Sequence, residues 1–225
     1  MRAVIFDLWD TLIDYDVEDF RATEGRIAEL IGVEPEVFRR RWRAGRPDRE
    51  TTGALSDSYR AAGAATELVP QLVEIRREAF RRVCVPRSGT IETLHELRRR
   101  GVRLGIISVC SEEVALLWEE TVFAGLFDST VFSCSVGLRK PDPEIYRLAL
   151  GELGVEPGDA LFVGDGANDE LAGAERVGMR AVLILRPEQD EPYWDEARGW
   201  QPRITSIPKV LELLGEHGCD GRWLR

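Results

Sequence analysis

Nowhere in this chain of 225 residues does an apolar run approach the ~18 residues that a membrane-spanning helix requires, so a membrane partner is not expected. Positive charge is in the minority. Lys and Arg total 30 against 40 Asp and Glu, and the net charge of −10 repels phosphate backbones and anionic lipid surfaces, which removes nucleic acid from the expected partners. Paired cysteines are missing too. Cys84, Cys110, Cys134 and Cys219 are widely spaced with no Cys-x-x-Cys, so neither a disulfide framework nor a structural zinc site is expected and the four read as free thiols. Cys110, just past a predicted strand end, reads as a small buried apolar residue, with a reactive thiol as the sharper alternative. Histidine is scarce: His95 falls inside a helical pattern and His217 near the C-terminus. Without a Gly-x-Ser-x-Gly elbow, no Ser-His-Asp hydrolase is indicated. The first apolar run starts at Ala3, which leaves no room ahead of it for a leader segment, and the expected compartment is the cytoplasm.

What is present is enough apolar material, 44% of the residues, to bury one main domain with a smaller insertion. Short apolar runs recur at Ala3–Phe6, Val102–Ile107, Thr130–Phe132, Ala160–Val163 and Ala181–Leu185, mostly separated by helical patterns. Strands alternating with helices predict an α/β fold, a Rossmann-like three-layer core in which a parallel sheet is covered on both faces. Local signals agree. Ile91, Leu94 and Leu97 recur every third residue up to Gly101, a predicted helix stop. Ser111 with Glu112 and Glu113 marks a helix start, and Asp142 is placed to cap a helix that begins at Pro143 and ends at Gly154. Residues 15–85 read differently, with no convincing strand and with two apolar stripes: Phe20, Ile27, Leu30 and Ile31, then Leu72, Ile75, Ala79 and Phe80. They are assigned to an inserted α-helical cap, leaving 1–14 and 86–225 as the core. Pro187 to Pro202 reads as an irregular crossing and Ile207 to Leu214 as a last helix.

Ligands of open parallel sheets bind outside the carboxyl ends of the strands, so polar residues directly after an apolar run are the candidates for chemistry. Four places qualify: Asp7 with Thr11; Ser108; Lys140 in Gly137-Leu138-Arg139-Lys140-Pro141-Asp142-Pro143; and Gly164-Asp165-Gly166-Ala167-Asn168-Asp169. The glycines of the last stretch do not form a dinucleotide loop, because Gly-x-Gly-x-x-Gly fails at Asp169.

Taken together, these four segments resemble motifs I to IV of the haloacid dehalogenase (HAD) superfamily, in the type that carries its helical cap between motifs I and II. The resemblance implies a hydrolase in which Asp7 is the nucleophile, Thr11, Ser108 and Lys140 hold the transferring group, and Lys140 also neutralises the nucleophile. It further implies Mg2+ held by Asp7, Asp165 and the main-chain carbonyl of Trp9, with Asp169 in or just beyond the ligand shell. Two carboxylates near Asp7 would repel by about 4 kcal/mol per pair at ~4 Å and an effective dielectric near 20, which a divalent cation reverses.

One family position is filled differently. Trp9 stands where the superfamily's phosphatases carry their general acid and base, a role worth ~10²–10⁴-fold, or about 3–5 kcal/mol. Three outcomes are open: a substrate whose leaving group needs no proton, replacement of the acid by Asp10, or loss of catalysis. The expected activity is Mg2+-dependent phosphatase action on a small phosphorylated metabolite, by a monomer or homodimer. The alternatives are a 2-haloacid dehalogenase, whose family members carry an aromatic residue at this position and expel halide without a proton, and a protein that binds a phosphorylated ligand without turnover. In the cap, Arg46 and Arg49, within the basic stretch Arg39–Arg49, are the candidates to meet the substrate anion.

Overall fold

The computed structural model describes residues 1–215, so His217 and Cys219 lie outside the described residues. Six strands, β1 (Ala3–Phe6), β2 (Arg103–Ser108), β3 (Ser129–Phe132), β4 (Ala160–Gly164), β5 (Arg180–Ile184) and β6 (Arg203–Ile204), form one parallel sheet in the order β3-β2-β1-β4-β5-β6. Successive side chains of a strand point to opposite faces, and here both faces are covered. Val4, Phe6, Leu104, Ile106, Leu161 and Val163 pack on one side, and Ala3, Ile5, Ile107, Val131 and Phe162 on the other. That double burial is why the strands read as continuous apolar runs. The predicted runs coincide with β1 to β5, whereas β6, only two residues long, gave no pattern to see.

The helices are α1 (Val17–Ile31), α2 (Pro35–Ala44), α3 (Arg46–Arg49), α4 (Leu55–Ala62), α5 (Val69–Val83), α6 (Thr90–Arg99), α7 (Glu112–Leu117), α8 (Ser133–Val136), α9 (Pro143–Leu153), α10 (Glu170–Arg176) and α11 (Lys209–Gly215). Their ends follow the local chemistry. The Asp142 side chain accepts from Glu144 N–H at 2.9 Å to cap α9, and Gly154 closes that helix with φ of 60°, a left-handed conformation costly for any residue with a Cβ. Among the described residues no helix is long and apolar enough to cross a membrane.

Helices α1 to α5 are inserted between β1 and β2 and enclose their own apolar cluster, with Ile27, Phe38, Trp42, Tyr59, Leu72 and Ile75 at its centre. Of the stripes expected there, Phe20, Ile27, Leu72, Ile75, Ala79 and Phe80 are buried, but Leu30 faces solvent at 37% exposure. The insertion is pinned to the sheet side by Arg139 to Glu50 at 2.8 Å, Arg76 to Glu113 at 2.8 Å, and Leu55 N–H to the Glu112 carboxylate at 3.0 Å.

Candidate active site

The chain runs from β1 outward to β2 and β3, then returns to place β4, β5 and β6 on the other side, so the strand order reverses between β1 and β4. A crevice opens at such a reversal. Register does the rest: Phe6 lies level with Ile106 and Val163, so Asp7, one residue further, and Ser108 and Asp165, each two residues further, come together at the carboxyl edge. Asp7 is anchored there by its N–H to the Val163 carbonyl at 2.9 Å and is 5% exposed.

Lys140 reaches this edge from the segment before α9 and forms ion pairs with both Asp7 Oδ1 and Glu170 Oε2. Glu170, the first residue of α10, is fully buried, and its other oxygen accepts from Gly166 N–H at 3.0 Å. Its carboxylate fills the space over Gly164. A Cβ on that glycine would sit 2.0 Å from Glu170 Oε1, so a side chain there would displace the acid. Asp165 accepts from Ala167 N–H at 3.1 Å on one oxygen and from the Trp194 indole N–H at 2.8 Å on the other.

The charges do not balance. Burial alone would push the Lys140 ammonium down, but Asp7 and Glu170 outweigh it and hold it charged beyond the ordinary lysine range. Burial raises Asp7 and Glu170, against the opposing charge of Lys140. Burial, then the charge of Asp7, pushes Asp165 up to about 6, opposed by its bonds from Trp194 and Ala167. One ammonium thus faces three carboxylates that resist ionising together. The three offer oxygens lying within 4.8 Å of one another. An all-oxygen donor set of this kind, two positive charges short when all three carboxylates are ionised, suits a hard divalent cation. The Trp9 carbonyl accepts no hydrogen bond among the described residues. Two buried hydroxyl oxygens, Thr11 Oγ1 and Ser108 Oγ, also have no hydrogen-bond partner, as expected of groups that wait for ligand atoms.

The other sequence candidates go elsewhere. Asp169 is turned out of the carboxylate group: its backbone is left-handed, φ 53°, and its half-exposed side chain pairs with Arg176 at 3.2 Å, so the second motif IV acid in the cluster is Glu170. Asp10, also left-handed at φ 54°, is bound by the Arg186 guanidinium and by Tyr15 N–H at 3.0 Å. Trp9 lies in an aromatic cluster with Tyr15, Phe20 and Phe80 at centroid distances of 5.6, 5.8 and 6.0 Å. Arg46 pairs with Glu50 at 2.6 Å. Arg49 is buried with its guanidinium 3.8 Å from the Trp42 ring centroid, and burial followed by the charge of Arg76 pushes it down to about 10.

The sequence reading passed over Arg76, whose guanidinium stacks 4.4 Å over Phe20. A signal existed, since Arg76 lies four residues from both Leu72 and Phe80 on the buried stripe of α5. Trp194 left no such trace, because nothing local ties it to Asp165.

The family model described as haloacid dehalogenase-like hydrolase matches residues 1–178. The chain belongs to this family. Glyceraldehyde 3-phosphate phosphatase of Methanothermobacter thermautotrophicus is 29% identical over 95% of this chain and 98% of its own length. A HAD phosphatase structure from Thermococcus onnurineus superposes with a TM-score of 0.71 at 24% identity, covering 96% of this chain and 98% of that one. A 2-haloacid dehalogenase structure from Pseudomonas syringae pv. Tomato DC3000 gives 0.70 at 25% identity, covering 97% and 100%. The fold and the hydrolase class expected from the four segments are therefore shown.

Proposed function

We propose that this HAD-like hydrolase is a phosphatase acting on a small phosphorylated metabolite through Asp7. The observation that carries this reading is a buried carboxylate, Asp7, paired with an ammonium and accompanied by two hydroxyls without partners, Thr11 and Ser108, suited to phosphoryl oxygens. The Asp7 carboxylate attacks phosphorus, the bond to the leaving oxygen breaks, and water then hydrolyses the aspartyl-phosphate. Lys140 offsets charge on the transferring group throughout. Asp7, Asp165, Glu170 and the Trp9 carbonyl would hold Mg2+, which when bound neutralises charge on the phosphoryl oxygens. No acid stands at position 9 to protonate the leaving oxygen, so substrates with good leaving groups are favoured.

Hydrolysis of p-nitrophenyl phosphate and acetyl phosphate, with and without Mg2+ and beside Asp7→Asn, tests this directly. Metal-dependent turnover that falls by about 10⁴-fold or more in the variant is expected. A second reading, C-halide hydrolysis, is favoured by one feature, the aromatic Trp9 beside an Asp7 already paired with Lys140. Metal-independent turnover of 2-chloropropionate, with both phosphates untouched, would decide for it.

Two further outcomes follow from Asp165. Its raised carboxyl, near 6, takes up a proton as pH falls through that value, and proton and cation compete for the same oxygen. Mg2+ affinity measured by titration calorimetry should therefore weaken from about pH 7.5 to about pH 5, approaching tenfold per unit below the pKa. Trp194→Phe keeps an aromatic ring, though a smaller one, but removes the N–H that orients Asp165, and a loss of about 10-fold to 100-fold in Mg2+ affinity is expected. Unchanged binding would show that Ala167 N–H suffices.

A further inference from the structure

The loop after β2 and the short helix α8 bring two thiols together. Cys110 Sγ and Cys134 Sγ lie 3.9 Å apart, and a disulfide needs about 2.05 Å, a gap that side-chain rotation spans when the backbones are already close. They are held close. Cys110 N–H donates to Ser133 Oγ at 3.0 Å, and that hydroxyl lies 3.3 Å from the Cys110 carbonyl, so the residue preceding Cys134 clamps Cys110 from both sides. Cys110 is 4% exposed whereas Cys134 is only half-buried, which leaves one sulfur reachable from solvent and the other behind it.

The two sulfurs differ in character. The hydrogen bond from Cys110 lowers the Cys134 thiol below its ordinary value, while burial first, then the neighbouring Cys134, raises Cys110. That is the asymmetry of an attacking and a resolving cysteine. Cys84 is different: burial pushes its thiol up to about 11, and it has no thiol partner among the described residues. The pair also sits at a sensitive place, Cys110 two residues beyond Ser108 and Cys134 on the segment that leads to Lys140.

We propose that Cys110 and Cys134 form a reversible disulfide when the folded protein meets a hydroperoxide. The Cys134 thiolate attacks a peroxide oxygen, the O–O bond breaks, and the leaving hydroxide takes a proton, leaving a sulfenic acid on Cys134. The Cys110 sulfur then attacks the Cys134 sulfur, the S–O bond breaks, and hydroxide leaves as water with the Cys110 proton. Two thiols lose two electrons and hydrogen peroxide is reduced to two waters. A dithiol reverses the bond by exchange.

The test exposes the full folded chain to hydrogen peroxide, blocks remaining thiols with iodoacetamide, and cuts with a glutamate-specific protease. The cuts fall between the two cysteines at Glu112, Glu113, Glu119 and Glu120, whereas no Lys or Arg separates them for trypsin. The expected product, analysed without reduction, is one cross-linked pair of peptides carrying Cys110 and Cys134, lighter by two hydrogens and resolved by dithiothreitol, with Cys84 still alkylated. In Cys110→Ser the oxidation should stop at a Cys134 sulfenic acid that dimedone traps, and in Cys134→Ser the Cys110 thiol should survive. A cross-link to Cys84 or Cys219, or Cys134 remaining a thiol while Cys84 oxidises, overturns the proposal. The wild-type map decides the matter even where a variant fails to fold.

Discussion

Lys140→Met is expected to lower stability by about 3–5 kcal/mol at neutral pH and turnover by about 10²–10³-fold, two losses with one origin. The side chain is 1% exposed and its ammonium pairs with both Asp7 and Glu170, so a methionine of similar length fills the volume but leaves two carboxylates buried against each other. The sign of the pH dependence separates this cause from a packing defect. In the wild type the folded pKa of Lys140 is raised, so its contribution is fully present below the ordinary lysine value and is lost only as pH rises through the higher one. In the variant Asp7 and Glu170, no longer held by a cation, have folded values raised further above 3.8 and 4.5, and a raised acid loses stability as pH climbs. Urea unfolding should therefore show the two proteins converging toward about pH 4 and diverging toward about pH 7. A gap that stays constant over that window would mean that Lys140 is held by shape and not by charge.

How far the sequence reached follows from what is local. Strands β1 to β5 are buried on both faces, so each is a short uninterrupted apolar run, and the cap and stop of α9 are single residues, Asp142 and Gly154, with one conformational reason each. Asp7, Ser108 and Asp165 were legible because each lies at or just past the end of a strand, Thr11 because it follows Asp7 in the same loop, and Lys140 because it precedes a helix. Glu170 was not, although it adjoins Asp169. Two successive left-handed residues, Asn168 at φ 57° and Asp169 at φ 53°, set the phase in which α10 begins, and that phase decides which acid points inward. The pairing of Asp10 with Arg186 spans 176 residues and that of Asp165 with Trp194 spans 29, and neither has a local pattern to betray it. The arginines show the opposite limit. Arg46 and Arg49 look free in the sequence, but Glu50 and the Trp42 ring engage them within the insertion.

Trp9→Asp, which returns to position 9 the acid found in the superfamily's phosphatases, is expected to weaken the protein and not to rescue slow substrates. The indole is the joint between motif I and the insertion, in edge contact with Phe20 of α1 and Phe80 of α5 as well as Tyr15, and removing an aromatic ring from such a contact costs about 3–5 kcal/mol. The new carboxylate would also join Asp7, Asp165 and Glu170, whose ionisation is already opposed by burial and by one another. Thermal melts should show a fall of about 6–20 °C, narrowed by Mg2+ because a cation relieves the added repulsion and stabilises only the folded form. Hydrolysis of an alkyl phosphate should stay as slow as in the wild type, since a proton donor is useful only when held in line with the leaving oxygen, and the ring that fixes the loop would be gone. A variant that melts like the wild type and gains alkyl phosphatase activity would instead assign Trp9 no structural role. It would also leave the preference for good leaving groups as a property of that one residue, removable without touching the joint between motif I and the insertion.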